Sequence, residues 1–544
     1  MKKKMTMLLL SGAWSISILS AQDGIPSKIA GDMKISSEAV MHFSGNAQVD
    51  MSANHGSSGK ILNEGTLKLP KGITFVSDDH TDGMLLNKNE VELTSEPSEV
   101  KVIKRFKEGA GFYSVSFPFD VDASEISGET ETLEFEKDFL IKGYNSESRA
   151  LNGYGDHNDP WEWLPETPGD PLTLKAGIGY MIYIKKSMNL VFPAKTLPED
   201  LFHSTNPKKM TAKYYCSHMQ NDFDNGWVFI GNQKSTSFHL IHDHLESYTQ
   251  LDELPSFGFA YFYDKSKNDW TITHDLDPRA EDDDVLMSPY VGFFTQLKGN
   301  EHGQDIEFGF LSSGRRLNNS HPNLRSGISN TYDALELKLQ KEGDSTFDKL
   351  RVVMGDEYSD SFQIGEDAPK MLSAITSQFY TLLEGAPIIF NKMKPTTDEI
   401  PVGVKIREAG HYTISINDQK GFEDARFYLI DKQTNREYDL SNEDYVFDSE
   451  AVSTDDRYAL RILKGATSTE MVESSGILVY TNNKTVHVRN IEAGDQVTIY
   501  SISGQLVEKE TTTSDSYVKE LPEGVYVVSV TNSGSNHSTK IVNR

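Results

Sequence analysis

The chain has 544 residues, 81 acidic against 53 basic side chains, and a formal charge of −28. Because such an acidic surface repels polyanions, we expect no nucleic-acid partner and no binding to anionic lipid. Cys216 is the only cysteine, which excludes an internal disulfide framework and a zinc site built on cysteines. The length suffices for roughly three or four domains.

Residues 1–21 have the pattern of a secretory signal peptide. A basic start at 2–4 precedes an apolar stretch at 5–19, and small residues follow it. We therefore predict cleavage between Ala21 and Gln22 and export of the remainder. The apolar stretch is too short to span a bilayer permanently and no later stretch is longer, so no transmembrane segment is expected in the mature chain.

The composition favours strands over helices, since 27 Phe and 23 Tyr accompany 40 Gly and 20 Pro that punctuate short segments. Between residues 22 and 110, alternating pieces are separated by corners such as "SGN", "LNEGT" and "LLNKNE". This spacing fits a β-solenoid-like stack of short strands. A β-sandwich with tight hairpins fits it equally well.

A diverged duplication fills the middle of the chain. "GFYSVSFPFDV" begins at Gly111 and "GWVFIGNQKSTSF" at Gly226. Further along, "AGIGYMIYI" carries Gly179 where "PYVGFFTQL" carries Gly292, at nearly the same displacement. We predict two similar β-rich units whose sheets lie side by side or face to face.

The two predicted units span 111–225 and 226–311, and each contains an acidic, aromatic hairpin. Hard oxygen donors of the kind that calcium prefers occur there, but neither string follows the twelve-residue calcium loop, and solvated turns account for them without an ion. These donors are Asp156, Asn158, Asp159, Asp275, Asp277, Asp282, Asp283 and Asp284.

Aromatic side chains of the same region would stack on sugar rings if they were exposed in a row, although aromatic residues on strands more often form core. They are Trp161, Trp163, Trp227, Trp270, Tyr261 and Tyr263. A metal site was also weighed at His239, His242 and His244 in "HLIHDHLES". Neither strand nor helix spacing aligns all three imidazoles, so we predict no metal site.

The rest of the chain divides into a turn-rich linker at 312–329, a series of alternating strands at 330–463 that predicts a β-sandwich, and a second linker at 464–476. Within the sandwich, "EDAPKMLSAITSQFYTLLEG" lacks a sustained helical stripe, and we interpret it as a long crossover between sheets. Residues 477–544, called the terminal module below, follow the second linker.

Short motifs mark the terminal module. "VTIYSISGQLV" places Gly504 in a hairpin turn, and "KIVNR" is a basic ending. "LPEGVYVVSV" supplies Leu521, Pro522, Gly524 and Tyr526. The module resembles the type A C-terminal sorting domain of the type IX secretion system of Bacteroidetes, although "VYTNNKTVHV" stands where family members usually have a Pro-Asn-Pro segment. The resemblance implies a small Ig-like fold.

The resemblance also implies a route and partners. The type IX machinery would carry the chain across the outer membrane, and a surface peptidase would cut within 464–476. The remainder would then be attached to surface polysaccharide or released. "FYSVSFPFD", "GWVFIGN", "VGFFTQ" and "YVFDSEAVSTDDRYALRIL" are similar to segments of large surface cargo proteins of the same bacteria.

No catalytic motif is found: the Gly-x-Ser-x-Gly elbow, the phosphate-binding loop and the Rossmann fingerprint do not occur in the sequence. Thr346 and Lys349 have an acyl-transfer-like spacing, but on a strand they would face opposite sides. We predict an all-β chain of tandem sandwich or solenoid-like modules, without cofactor or catalytic residues. Its loops are expected to bind a partner such as host glycan, matrix protein or a neighbouring cell at the cell surface. A secreted polysaccharide hydrolase with two facing carboxylates and a structural spacer are the alternatives.

Overall fold

The computed structural model describes twenty-six stretches of the chain, and every structural statement below concerns these residues: 15–17, 27–29, 32–35, 40–42, 47–49, 60–69, 72–78, 82–88, 90–92, 99–152, 160–196, 209–217, 222–232, 234–240, 245–247, 259–265, 269–275, 286–317, 333–372, 376–396, 398–422, 425–464, 467–468, 477–482, 484–532 and 536–543. They confirm the all-β class with several β modules, since strands predominate and α1 (Ser146–Asn152) is a single short helix. Within these stretches no helix is long and apolar enough to cross a membrane. The predicted cleavage site at Ala21 and Gln22 lies outside them.

The chain forms two compact units, one of Met1–Pro278 with Asp282–Ser326 and one of Arg279–Glu281 with Gly327–Arg544. The first unit begins with short strands: β1 (Ser15–Ser17), β2 (Ser27–Ile29), β3 (Asp32–Ile35), β4 (Val40–His42), β5 (Ala47–Val49), β6 (Lys60–Asn63), β7 (Thr66–Lys68), β8 (Gly72–Asp78), β9 (Met84–Asn87), β10 (Glu90–Glu92) and β11 (Glu99–Phe106). Every third strand pairs in parallel, which gives the rows β1-β4-β7-β10, β2-β5-β8-β11 and β3-β6-β9. The strands therefore wind into a three-sided β-solenoid.

Neighbouring coils of the solenoid are held in register by matching side chains. Ile61, Leu67 and Leu85 point inward and are at most 2% exposed. At one corner Asn63 and Asn87 occupy equivalent positions of paired strands, and the Asn63 amide donates to the Asn87 side-chain oxygen at 2.7 Å. The asparagine corners seen in the sequence thus pair polar groups that the stacking buries.

The duplicated region contains two copies of one strand arrangement. The first copy has β12 (Gly111–Ser116), β13 (Val121–Asp122), β14 (Ser127–Gly128), β15 (Phe139–Tyr144), α1, β16 (Trp161–Leu164), β17 (Thr173–Leu174), β18 (Gly179–Ile184) and β19 (Met188–Pro193). The second has β20 (Lys209–Tyr214), β21 (Trp227–Gly231), β22 (Ser237–His239), β23 (Leu245–Ser247), β24 (Phe259–Asp264), β25 (Asp269–Asp275), β26 (Leu286–Met287), β27 (Gly292–Gln296), β28 (Gln304–Phe310) and β29 (Arg315–Arg316). Short 3-10 turns lie at Ala123–Glu125, Asp222–Asp224 and Ser312–Gly314.

Sheet order shows the duplication. The four-stranded sheets β12-β18-β15-β16 and β21-β27-β24-β25 correspond strand for strand, as do the rows β11-β19-β14 and β20-β28-β23. Each copy also includes the strand before its predicted first residue, since β11 precedes 111 and β20 precedes 226. In the first copy this strand is β11, the last strand of the solenoid, so solenoid and copy share one hydrophobic core.

The two four-stranded sheets pack face to face at their glycines. A methyl group on Gly292 would lie 2.9 Å from the Gly179 Cα and 2.8 Å from the Phe229 ring. Ser114 Oγ donates to the Gly292 carbonyl at 2.7 Å and accepts from the Gly292 amide at 3.0 Å. The Gly231 amide donates to the Gly177 carbonyl at 2.8 Å. The two glycines that revealed the duplication are therefore the positions where the copies meet.

We expect Gly292→Ala to destabilise the duplicated region by about 1–3 kcal/mol, because the added methyl group overpacks a backbone-to-backbone contact. Scanning calorimetry of the mature protein would show a lower transition temperature. Gly410→Ala is the control, since its new methyl group would meet only the flexible Lys341 side chain, at 3.0 Å. Equal transition temperatures for Gly292→Ala and the parent would contradict the face-to-face contact.

The second unit begins with the strands β30 (Asp333–Lys341), β31 (Asp348–Met354), β32 (Ala368–Pro369), β33 (Gln378–Leu383), β34 (Ala386–Met393), β35 (Ile400–Ile406), β36 (Gly410–Lys420), β37 (Ala425–Asp431), β38 (Arg436–Asp439), β39 (Tyr445–Ser449) and β40 (Val452–Lys464). They form one eleven-stranded sheet in the order β38-β37-β40-β35-β33-β34-β31-β30-β36-β39, with β32 on β34. The sheet curls around a single core, and its outer strands meet at Tyr438 and Tyr445, whose ring centroids are 4.6 Å apart. We call residues 333–464 the curled-sheet module.

Two interpretations of the sequence differ from the structure here. Where the sequence predicts a β-sandwich at 330–463, these strands form one curled sheet around a single core. The segment taken as a crossover contains β33, which lies inside the sheet between β34 and β35. Phe379 of this strand is fully buried in the core. Its strand character was hidden because the flanking "EDAPKMLSAIT" carries no alternation.

The terminal module consists of two packed sheets. Its strands are β41 (Thr467–Ser468), β42 (Leu478–Asn482), β43 (Thr485–Arg489), β44 (Gln496–Ser501), β45 (Leu506–Thr511), β46 (Ser516–Glu520), β47 (Gly524–Thr531) and β48 (Asn536–Asn543). The sheet orders are β41-β42-β43-β46 and β45-β44-β47-β48. Val497, Ile499, Val528 and Val530 alternate into the core between them.

Candidate functional site

Most of the residues of the "LPEGVYVVSV" motif have structural roles in the terminal module. Tyr526 is buried, and its hydroxyl donates to the Pro522 carbonyl at 2.9 Å. Gly524 leaves room for the ring, since a methyl group there would lie 3.2 Å from it. Leu521 is 4% exposed and belongs to the core. The "LPEGVY" motif is thus a tyrosine corner that fixes the start of β47.

The basic ending of the chain is tied to this corner by Asn543, which is 2% exposed. Its amide nitrogen lies 2.7 Å from the Leu521 carbonyl oxygen, 3.0 Å from that of Pro522 and 3.2 Å from that of Lys484. Sequence reasoning quoted "KIVNR" for its charge and missed this asparagine. The same corner geometry recurs at Tyr113 and Tyr412, whose hydroxyls donate to carbonyls four residues earlier at 2.8 and 2.7 Å.

The hairpin that joins β44 and β45 has a different character. Gly504 has φ +84° at its tip, and its amide donates to the Ser501 carbonyl at 2.9 Å. Around the tip, large apolar side chains face solvent: Ile502 is 62%, Leu506 53%, Val507 39% and Tyr500 36% exposed. Tyr500 and Leu506 are cross-strand partners, and Ile502 and Val507 lie on the same hairpin. Exposed apolar patches of this kind mark interaction sites.

We call Tyr500, Ile502, Leu506 and Val507 the hairpin patch. Their exposure makes the hairpin patch the candidate contact surface of the terminal module. In the sequence, the hairpin patch is marked by the apolar residues on either side of the Ser-Gly turn in "SISGQLV". Its exposure could not be predicted, because alternation alone does not show which face of a sheet lacks a covering layer.

The terminal module also packs against the curled-sheet module through a mixed apolar and ionic junction. Tyr428 and Tyr480 stack with ring centroids 4.8 Å apart. Glu437 accepts from Arg461 at 2.6 Å and from Arg489 at 3.0 Å, so one carboxylate serves an arginine of each module. His487 stacks on the other side of the contact, 4.8 Å from the Tyr480 ring.

Burial, together with the charges of Arg489 and Arg461, lowers the pKa of His487 from 6.5 to about 4. The folded protein therefore keeps this imidazole neutral where the unfolded chain would bind a proton. Since the unfolded state binds more protons over this range, the stability contribution is complete above pH 6.5 and is lost as the pH falls toward about 4.

We expect His487→Phe, which keeps an aromatic ring on Tyr480 but does not titrate, to lose less stability on acidification than the parent. Urea unfolding of both proteins at pH 7 and about pH 5 measures this difference. An identical loss of stability in the two proteins would show that His487 is not the group that titrates.

The structure separates the tryptophans and tyrosines proposed for sugar stacking. Trp161 and Trp270 occupy equivalent positions of the two copies and stack on each other, with centroids 6.0 Å apart and planes 10° apart. Trp227 is 1% exposed, Tyr261 is 2% exposed and Tyr263 packs on Trp270. These residues join the copies rather than forming an exposed row.

Trp163 is the exception, with 45% of its surface exposed. The Lys142 ammonium lies 4.8 Å from its ring centroid, and Phe112 lies 6.1 Å from it. Tyr183 is 5.1 Å from Phe112. Trp163, Phe112, Tyr183 and Lys142 therefore form an aromatic surface with a flanking donor, which we call the aromatic platform.

A cleft of about 440 Å³ between the copies is lined by Glu147, Glu162, Lys213 and Tyr215, among others. Asn145 donates to Glu162 at 2.7 Å, and His302 Nε2 lies 3.9 Å from a Glu147 oxygen. A polysaccharide hydrolase needs paired carboxylates in a cleft. The hydrolase alternative stays a prediction, and this cleft is the place where it would be tested.

The residues weighed as metal ligands lie largely outside the described part of the chain. His242, His244 and the acidic positions Asp156, Asn158, Asp159, Asp277, Asp282, Asp283 and Asp284 lie outside it. His239 and Asp275 end the strands β22 and β25. Among the described residues, no group of three or more His, Cys, Asp or Glu side chains is arranged to hold a metal ion.

Lys349, which with Thr346 has an acyl-transfer-like spacing in the sequence, belongs to an ion cluster. Its ammonium lies 2.9 Å from the carboxylate of Glu336, which Arg351 contacts at 2.8 Å and the Asn417 amide at 2.6 Å. Burial alone would raise the pKa of Glu336, but Arg351 and Lys349 outweigh it and hold that pKa low. Lys349 is thus a charged structural partner of Glu336.

Two family models match parts of the chain. Residues 259–462 are similar to a family described as a domain of unknown function, DUF8693, and residues 466–542 to another described in the same way, DUF6383. The first match runs from β24 to the end of the curled-sheet module. The second covers the terminal module together with β41, which supports treating β41 as part of that fold.

Among solved structures, the chain is similar to a "Biofilm associated protein - BSP domain", with 10% identity and a TM-score of 0.14. The match covers 80% of this chain and 88% of that one. PorZ, titled an essential bacterial surface component of the type-IX secretion system of Porphyromonas gingivalis, is 10% identical with a TM-score of 0.13, covering 70% and 68%. At such TM-scores neither likeness bears on fold or function. None of the curated proteins matches the chain.

Proposed function

We propose that this chain is an exported, non-catalytic cell-surface protein delivered by its terminal module and binding glycan through the aromatic platform. The hairpin patch carries the first part, because a compact module with a complete core leaves four large apolar side chains in solvent at one tip. The signal-peptide pattern and the resemblance to type IX sorting domains support the same route. In this proposal the secretion machinery binds the hairpin patch.

Delivery is tested by the double variant Ile502→Ser and Leu506→Ser in the natural host. We expect surface exposure of the protein to fall at least about tenfold, because the recognised apolar area is lost while the core is untouched. The measurement is protease shaving of whole cells followed by immunoblotting. Val446→Ser with Val452→Ser is the matched control, since these valines of the curled-sheet module are 65% and 43% exposed. Equal loss in both variants, or in neither, would contradict the proposal.

The binding part rests on the exposure of Trp163 beside Lys142. A tryptophan face offers an apolar surface for the C–H face of a pyranose, and the ammonium offers a hydrogen-bond donor for hydroxyl groups. The platform lies on strands β12, β15, β16 and β18 of one sheet, so its geometry is rigid before the ligand arrives. The net charge of −28 favours neutral over acidic glycans.

Trp163→Ala should weaken glycan binding by about tenfold or more, as is usual for a central aromatic contact. A panel of immobilised neutral glycans probed with mature protein identifies the ligand, and calorimetric titration then gives the affinity. Phe347→Ala is the control, because Phe347 is also exposed, at 38%, and also has a lysine over its ring. Unchanged affinity of Trp163→Ala would refute the assignment of the platform.

A further inference from the structure

We infer that the terminal module remains bound to the curled-sheet module after the segment that connects them has been cut, so that cleavage alone does not release it. The inference rests on the proposed function in one respect, the removal of the module by a peptidase acting between the two modules. Three sets of contacts carry it, and each joins residues on opposite sides of residues 469–476.

The first set is apolar. Tyr428 and Leu463 of the curled-sheet module form one buried cluster with Leu478 and Tyr480 of the terminal module. All four are at most 3% exposed. Separation of the modules would bring two tyrosine rings and two leucine side chains into water, which is the usual driving force for keeping an interface closed.

The second set is polar and specific in geometry. Besides the two arginines on its carboxylate, Glu437 binds Asn490 through its backbone: the Glu437 amide donates to the Asn490 side-chain oxygen at 2.8 Å, and the Asn490 amide donates to the Glu437 carbonyl at 2.7 Å. Arg461 is held in turn by Glu399 at 3.0 Å. Separation would leave Glu437, which is 7% exposed, without Arg489 and without both of these hydrogen bonds.

The third set is a strand. β41 precedes residues 469–476 but pairs with β42, with Thr467 opposite Thr481 and Ser468 opposite Tyr480. A cut anywhere in 469–476 therefore leaves β41 on the curled-sheet fragment while it remains an edge strand of the terminal module. This is the geometry of β-strand addition, in which a segment of one chain completes the sheet of another.

The occupant of the surface at Tyr428, Leu463 and Glu437 is thus the chain's own terminal module, before and after cleavage. The terminal module fits this surface by charge and by hydrogen bonding. The carboxylate of Glu437 faces Arg489, and the backbone of Glu437 is hydrogen-bonded to Asn490. Release then requires a second event that separates the modules, such as capture of the hairpin patch by a partner.

The test uses the mature full-length protein with a recognition sequence for a specific protease introduced in 469–476. After complete cutting, verified on a denaturing gel, size-exclusion chromatography is run under native conditions. We expect the two fragments to elute together, at the volume of the uncut protein. Separate elution of the two parent fragments would overturn the inference. Because the cut is engineered, this result does not depend on whether a natural peptidase acts, which the delivery experiment addresses separately.

Two variants test whether the named contacts hold the fragments. Arg489→Glu places two carboxylates together, and Asn490→Gly removes the amide contacts while suiting the backbone, since Asn490 has φ +59°. We expect dissociation of the cut fragments to increase at least tenfold in each. Lys484→Glu is the control, because Lys484 is 55% exposed and pairs with Glu523 of the same module. Co-elution of all the variants would show that other contacts hold the module and would refute the assignment.

Discussion

The close approach of the backbones at Gly179 and Gly292 is the constraint on which the arrangement of the duplicated region depends. A side chain at either position would hold the two four-stranded sheets apart. With hydrogen at both, Ser114 and Gly231 reach across to backbone groups of the other copy, and the aromatic rings beside them close into one cluster. The hydrogen bonds and the ring packing between the copies therefore depend on glycine at both positions, since neither could form if the two sheets were further apart.

This packing determines which aromatic residues reach solvent. Trp161 and Trp163 lie on the same face of β16, yet Trp161 stacks on Trp270 while Trp163 is 45% exposed and lies against Lys142. Two residues with identical local patterns thus take opposite roles. The terminal module makes a similar division: Tyr526 and Leu521 maintain its fold, and the hairpin around Gly504 carries the surface available to a partner.

Alternation of apolar and polar residues was enough to predict the all-β class, because it follows directly from the pleat of a strand. It was not enough to distinguish a solenoid from a sandwich in residues 22–110, since parallel and antiparallel strands alternate alike. The parallel pairing of every third strand, with Asn63 opposite Asn87, appears only in the structure. Glycine anchors revealed the duplication, but Trp161 and Trp163 could not be told apart without the second copy, on which Trp161 stacks. The junction at Glu437 and Asn490 joins residues 53 positions apart, beyond the reach of any local pattern.

The molecule combines a solenoid, a face-to-face pair of copies, a curled sheet and a terminal module that is docked on that sheet. In the proposed function, glycan binding and delivery use different modules of the chain, so each can be altered without the other. The glycan-binding assignment depends on the copies being packed as described, because in that packing Trp163 is exposed and Trp227 is buried. Oxidative footprinting of the folded protein with mass spectrometry tests this most directly. The account predicts fast modification of Trp163, at 45% exposure, and protection of Trp227, at 1%, until the protein unfolds. Equal modification rates for these two tryptophans in the folded protein would contradict it.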